Sequence, residues 1–203
     1  MGRRPRRVVL ATRNTKKLAE LQRILGDRAT VVGLADVPAF PEEPETGATF
    51  AENAVAKAEQ AARETGEMSL ADDSGLAVDA LSGMPGVLSA RWAGTHGDDE
   101  ANNALLLAQL RDTPDERRGA EFVCALALAV PGGSTIVELG RWRGVILREQ
   151  LGDNGFGYDP LFRPDDADGR SSAQLAASEK DALSHRGLAT AAILPALLEL
   201  LSS

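Results

Sequence analysis

The sequence predicts an α/β fold, a mixed sheet with helices packed on it. Strand-like and helix-like stretches alternate through the first part of the chain. One of those helices carries its own start and stop signals, and a long β-hairpin follows in the second half. Alternation followed by a hairpin gives a sheet of mixed strand direction flanked by helices.

RRVVLAT (6–12) reads as a first strand, and NTKKLAELQRIL (14–25) as the helix after it, because Leu18, Leu21, Ile24 and Leu25 recur at helical spacing. TVVGL (30–34) is a second strand. DVPAFPEEPETG (36–47) holds three prolines and four acids and reads as a mobile loop. In TFAENAVAKAEQAARETG (49–66), Thr49 and Glu52 form a capping box and Gly66 marks the C-terminal end. MSLADDSGLAVDAL (68–81) begins as a strand and leads into the glycine- and proline-rich SGMPGVLSARWAG. DDEANNALLLAQL (98–110) is a helix and TPDERRG (113–119) a polar connection. AEFVCALALAV (120–130), PGG and STIVELGRWRGVI (134–146) make the hairpin. LGDNGFGYDPLF (151–162) is glycine-rich and then strand-like, and the last helices start near Ser178 and Ser184.

With 203 residues, 43% of them hydrophobic, the chain is long enough for one domain (1–203) or two intimately packed lobes around a real core. Aromatics are only 4%, so the expected core is aliphatic. The net charge of −8 disfavours a nucleic-acid binder, although local cations can still serve a small anion. The basic cluster GRRPRR (2–7) reads as a solvated, frayed end. Cys124, the one cysteine, excludes an intrachain disulfide and reads as a core thiol. VVLA (8–11) is too short for a signal-peptide core, and no stretch reaches transmembrane length. A cytoplasmic protein with no membrane or nucleic-acid partner is expected.

Candidate chemistry begins at TRNTKK (12–17), where strand meets helix and backbone N–H groups and the helix dipole suit an anion. Asn14 is a good N-cap, which alone is a structural role. Lys16 and Lys17 lie in the first turn, an unfavourable place for cations, and either a bound phosphate or a tolerated surface lysine accounts for them. Asn53 and Lys57 share a helix face at i, i+4, which without further context reads as a solvated pair. Glu45 lies in the acidic loop, free of the cap that occupies Glu52. Mg²⁺ takes oxygen ligands, commonly one or two carboxylates plus substrate phosphates, so Glu45 with Asp72 or Asp73 would suit it if the fold joined them.

ADDSG (71–75) reads as a turn or as a metal site. In a strand, Asp72 and Asp73 point to opposite faces and need not share one role. His96 reads as a surface loop residue, while His185 opens a helix after Ser184. In FGYDP (156–160) an aromatic in a glycine loop could stack on a base, although Phe and Tyr usually serve the core.

Six stretches together resemble the inosine/xanthosine triphosphate pyrophosphatase family. They are TRNTKK, ETGATFAENAVAKA, ADDSGLAVDAL, PGVLSARWAG, FGYDPLF and SEKDALSHRG, in the family's order and over residues 8 to about 190. The resemblance implies a long mixed central sheet flanked by helices, two lobes with an active-site cleft between them, a homodimer and dependence on Mg²⁺. It implies hydrolysis of deaminated purine nucleoside triphosphates (ITP, dITP, XTP) to the monophosphate and pyrophosphate. Thr12, Asn14 and Lys17 match the triphosphate cradle, with Lys57 as a further cation. Asp73 matches the catalytic base and metal ligand, Glu45 its metal-binding companion, and Asp72 a support. Ser74 matches a substrate-contacting hydroxyl. Phe156, Gly157 and Tyr158 match substrate-binding positions, Phe156 as the purine-stacking ring, and Asp159, Lys180, His185 and Arg186 match base-reading groups. Arg13 departs from the family, many of whose members have glycine there.

Hypoxanthine and xanthine present O6 as acceptor and N1–H as donor, where adenine presents an amino donor. Lys180 or Arg186 on O6 and Asp159 on N1–H would leave buried groups unpaired with adenine, a mismatch worth roughly 10⁴-fold in favourable cases. A non-catalytic nucleotide sensor is the alternative, and a nucleotide kinase is disfavoured because G-x-x-x-x-G-K-[ST] is lacking.

Overall fold

The computed structural model describes residues 7–202. The basic cluster therefore lies outside the described residues except for Arg7, which opens the first strand. Six strands form one sheet: β1 Arg7–Leu10, β2 Thr30–Gly33, β3 Ser69–Val78, β4 Gly119–Ala129, β5 Thr135–Ile146 and β6 Phe162–Pro164, in the order β2-β1-β3-β4-β5-β6. β1 runs parallel to β2 and β3, and β6 is antiparallel to β5, so the sheet is mixed as expected. The helices are α1 Thr15–Leu25, α2 Phe50–Thr65, α3 Asp99–Gln109, α4 Ala177–Leu183 and α5 His185–Ser202. Among the described residues, no helix is long and apolar enough to cross a membrane.

The chain forms two compact units. Among the described residues the first comprises 7–73, 124–140 and 186–202, the second 74–123 and 141–185. β3, β4 and β5 each carry the chain from one unit into the other, and β3 does so between Asp73 and Ser74.

The core of the first unit follows from the two-residue period of β4. Cys124, Leu126 and Leu128 pack with Leu21 and Leu25 of α1 and with Ala189, Ile193 and Leu197 of α5. Ala125, Ala127 and Ala129 pack with Ala54, Ala58, Ala61 and Ala62 of α2. Methyl-only side chains on both surfaces let that helix lie close to the strand. Cys124 is fully buried, and burial pushes its thiol up to about 12, as suits a core thiol. The caps of α2 are those the sequence predicts: Thr49 and Glu52 exchange a capping box, and Gly66 is left-handed.

The second unit corrects the expectation of an aliphatic core. Phe122, Trp142, Tyr158 and Phe162 gather there with Leu76, Leu106 and Leu110. Phe122 meets Phe162 edge-on at 4.6 Å. The few aromatics look insignificant as a composition but are concentrated in one unit. ADDSG is a second difference: β3 is extended through all ten residues, so this stretch is strand and not turn. Gly75 lets the 86–89 segment lie against this strand, since a Cβ there would meet Ser89 Cβ at 2.8 Å and Gly86 O at 2.6 Å.

Ala127→Leu should cost about 1–3 kcal/mol by overpacking the α2 surface. Urea unfolding would show it as a lower midpoint at unchanged slope. Leu139→Ala, at a residue 51% exposed, should stay within about 0.5 kcal/mol of the parent.

Candidate functional site

In the first unit the site is built on the alternation of β3. Leu70 belongs to the face that meets α1 and α5, and Ala71 to the face that meets α2. Asp72 and Asp73 continue the two rows and therefore part company.

Asp72 is 1% exposed. Lys17 Nζ lies 3.1 Å from its Oδ2, and Arg186 reaches the same oxygen from Nη2 at 3.1 Å and Nε at 3.3 Å. Arg186, itself buried, also pairs with buried Glu20 of α1. Burial favours the neutral acid, but Lys17, Arg186 and Lys57 outweigh it and hold this carboxyl well below the usual carboxylate range.

Asp73 looks the other way. Its Oδ2 accepts from Asn53 Nδ2 at 2.9 Å, and Lys57 Nζ lies 3.8 Å from Oδ1. Burial raises the Asp73 carboxyl above its ordinary value, and Lys57 only partly offsets this. Lys57 donates to Glu45 Oε1 at 2.7 Å and to the Asp72 carbonyl at 2.8 Å. Burial pulls its ammonium down, but Asp73, Asp72 and Glu45 together leave it raised. The loop before α2 docks on the same amide, because Gly47 N–H donates to Asn53 Oδ1 at 2.8 Å.

Thus Asn53 and Lys57, which read as a solvated pair in the sequence, hold the two carboxylates of the expected metal set. No group of three metal-capable His, Cys, Asp or Glu side chains occurs among the described residues. Two carboxylates meeting at one ammonium fit a cation that completes its shell with water and phosphate oxygens, as Mg²⁺ does.

At the start of α1, Asn14 accepts from the N–H groups of Lys16 at 3.0 Å and Lys17 at 3.2 Å, and Thr12 Oγ1 accepts from Asn14 N–H at 3.1 Å. Asn14 is therefore a true N-cap, and two of the N–H groups expected to meet an anion already have an acceptor. Arg13 turns its mostly exposed side chain to Glu42.

In the second unit the 155–159 loop is organised by its own acid. Asp159, 2% exposed, accepts from Phe156 N–H at 2.8 Å, Lys180 Nζ at 2.6 Å and Ser172 Oγ at 2.8 Å. Gly155 is left-handed, and a side chain there would collide with that carboxylate. Lys180 Nζ lies 5.0 Å from the centroid of the half-buried Phe156 ring. Buried His185 stacks on Phe122 at 4.8 Å, and half-buried Ser74 continues β3.

Three of the positions that the resemblance singles out already have protein partners. Asp159 does not offer an open carboxylate, since a buried acid needs donors and takes them from Lys180, Ser172 and the loop backbone. Tyr158 belongs to the core, and its hydroxyl donates to Ser89 O at 2.9 Å. Arg186 directs its guanidinium to Asp72 and Glu20. Glu20 escaped the sequence reading, although an acid three residues after Lys17, beside the apolar stripe of α1, was a signal for it.

The two adjacent acids should respond oppositely to loss of charge. Asp72, with its depressed pKa, contributes stability present above the unfolded value of about 3.9 and lost as pH falls through the folded one. Asp73, with its raised pKa, contributes stability that is present below the unfolded value and lost as pH rises through the folded one. At pH 7 in EDTA, Asp72→Asn should cost about 3 kcal/mol or more by stranding Arg186 and Lys17, roughly 6–12 °C in Tm. Asp73→Asn should melt at or above the parent temperature.

Known proteins agree with this architecture. The sequence profile described as Ham1 family matches residues 8–196. A dITP/XTP pyrophosphatase of Nocardia farcinica is 64% identical over 198 residues, 96% of each chain. A crystal structure of a nucleoside-triphosphatase, dITP/XTP pyrophosphatase, from Mycobacterium abscessus has a TM-score of 0.77 at 59% identity, over 93% of this chain and 99% of that one. A HAM1 protein from Coxiella burnetii has a TM-score of 0.86 at 41% identity, over 96% and 99%. The match runs through β1, the divided carboxylates of β3, the 155–159 loop and α5, and the chain belongs to the Ham1 family.

Proposed function

We propose that this protein hydrolyses deaminated purine nucleoside triphosphates (ITP, dITP and XTP) to the nucleoside monophosphate and pyrophosphate, in the cytoplasm and as a homodimer. The observation that carries the reading is the Asp73 carboxyl, buried, held by Asn53 and raised above its ordinary pKa beside Lys57 and Glu45. A carboxylate so placed is suited to accept a proton, and high identity to dITP/XTP pyrophosphatases supplies the substrate class.

The first unit takes the triphosphate. Thr12, Asn14 and Lys17 meet the phosphates at the start of α1, and Lys57 adds a second ammonium. Asp73 receives the proton of the water that cleaves the anhydride between the α- and β-phosphates, while Asn53 keeps its carboxylate aimed. Glu45 and Asp73 would hold Mg²⁺, which when bound would supply charge neutralisation at phosphate oxygens and a more acidic water. Asp72, clamped between Lys17 and Arg186, fixes where the lysine stands.

The second unit takes the purine. Phe156 supplies the stacking face, with Ser74 and His185 as further contacts. Lys180, which donates to Asp159, is a hydrogen-bond donor and matches the acceptor O6 of hypoxanthine or xanthine. The amino group of adenine cannot accept from it. Asp159 serves this recognition by holding Lys180 and the Phe156 peptide.

Purified protein with Mg²⁺ should release pyrophosphate from ITP and XTP at least 100-fold more efficiently, by kcat/KM, than from ATP. No release from any nucleotide would leave the sensor reading standing. Asp73→Asn should lower kcat by about 10²–10⁴ while still binding nucleotide. Turnover near the parent rate would remove Asp73 from the catalytic role. Light scattering should give about twice the 21.4 kDa chain mass.

A further inference from the structure

Gly157 is held by two α3 residues that have no part in the roles above. Its N–H donates to Asp99 Oδ2 at 2.9 Å, and its carbonyl accepts from Asn103 Nδ2 at 2.9 Å. Asp99 and Asn103 stand one turn apart on the same face of α3, a spacing matched to both polar groups of one residue. Gly157 is left-handed at φ 61°, a conformation that sets its two backbone groups toward the helix at no side-chain cost.

Asn103 is 3% exposed, and its Oδ1 has no hydrogen-bond partner among the described residues. A buried amide oxygen without a donor opposes folding, and an apolar side chain of similar size would avoid the penalty. The bond to Gly157 is therefore what Asn103 provides at this position.

The neighbouring residue is fixed too. Phe156 N–H donates to Asp159 Oδ2 at 2.8 Å, and its carbonyl accepts from Asp159 N–H at 3.3 Å. Every backbone polar group of Phe156 and Gly157 is thus bonded, half of them by α3. Asp159 sits on one side of the pair and the helix on the other.

We infer that Asp99 and Asn103 are positioning residues for purine binding: by clamping Gly157 they hold the Phe156 ring in its stacking pose before substrate arrives. This rests on the reading of Phe156 as the stacking ring. The two residues act through the loop and touch no substrate, so they govern affinity for the base and leave the chemistry at phosphate alone. Without the clamp the loop must be ordered on binding, and that cost falls on affinity.

The test uses the full-length chain as Asp99→Ala, Asp99→Asn and Asn103→Leu. Steady-state hydrolysis of ITP, product inhibition by inosine monophosphate and by pyrophosphate, and hydrogen exchange of peptides covering 154–159 are measured. Asp99→Ala and Asn103→Leu should raise KM for ITP and Ki for inosine monophosphate about tenfold, with kcat reduced less than threefold and Ki for pyrophosphate unchanged. Exchange over 154–159 should quicken. Asp99→Asn, which keeps an acceptor oxygen for the Gly157 N–H, should recover most of both effects.

Inosine monophosphate binding that is unchanged in Asp99→Ala, or that weakens in parallel with pyrophosphate, would overturn the assignment. If Asn103→Leu fails to fold, the half-buried Asp99 tests the same peptide. Failure of the parent protein to hydrolyse ITP would count against the functional reading, and exchange over 154–159 would then decide the clamp by itself.

Discussion

The site depends on one constraint, the two-residue period of β3 across Asp72 and Asp73. Neighbouring carboxylates on one surface would repel each other and raise both pKa values. The strand sends them to opposite faces, and each face imposes its own chemistry. Asp72 meets Lys17 and Arg186 and is neutralised inside the protein. Asp73 meets an uncharged amide, with an ammonium 3.8 Å away that also serves Glu45. A slip of one residue in register would exchange these environments and bring Asp72 to α2, so the leucine and alanine rows that fix the register also fix which acid meets Asn53 and which meets Arg186.

Local rules made much of this legible in the sequence. Asn14, Thr49, Glu52 and Gly66 each signal a helix end by a mechanism that spans at most four residues, and the structure places all four at caps. The opposite orientation of the two aspartates needed only the assumption of a strand. What escaped were partners distant in the chain. Arg186 reaches Asp72 across 114 positions and Glu20 across 166, and no spacing rule operates at such range. The i, i+4 relation of Asn53 and Lys57 was visible, but not what their face meets, because that depends on the sheet beside α2. The partners of the Asp159 carboxylate escaped for the same reason: Ser172 and Lys180 come from segments 13 and 21 residues away.

The Arg186 network places four charges inside the first unit. A buried ion cluster gains Coulomb energy only against the cost of removing each charge from water, and a well-packed apolar replacement is often as stable. Its clearest consequence here is positional. Lys17 begins a helix, where a cation is disfavoured, and the buried carboxylate of Asp72 holds its ammonium despite that. Lys17 thus stands at the strand-to-helix turn with its side chain 15% exposed.

Three aspartates are buried among the described residues, and they differ in what neutralises them, which bears on the base proposed at Asp73. Asp72 gives its Oδ2 to Lys17 and Arg186. Asp159 gives its oxygens to Lys180, a serine hydroxyl and a backbone N–H, and so fixes a loop. Both have cations in direct contact at 3.1 Å or closer. Asp73 alone combines burial with a neutral hydrogen-bond donor and a more distant ammonium, which is why its carboxyl is raised while that of Asp72 is depressed. A general base must be held in place without having its charge cancelled. An amide achieves the first and avoids the second, so Asn53 is what distinguishes Asp73 from a further structural ion pair.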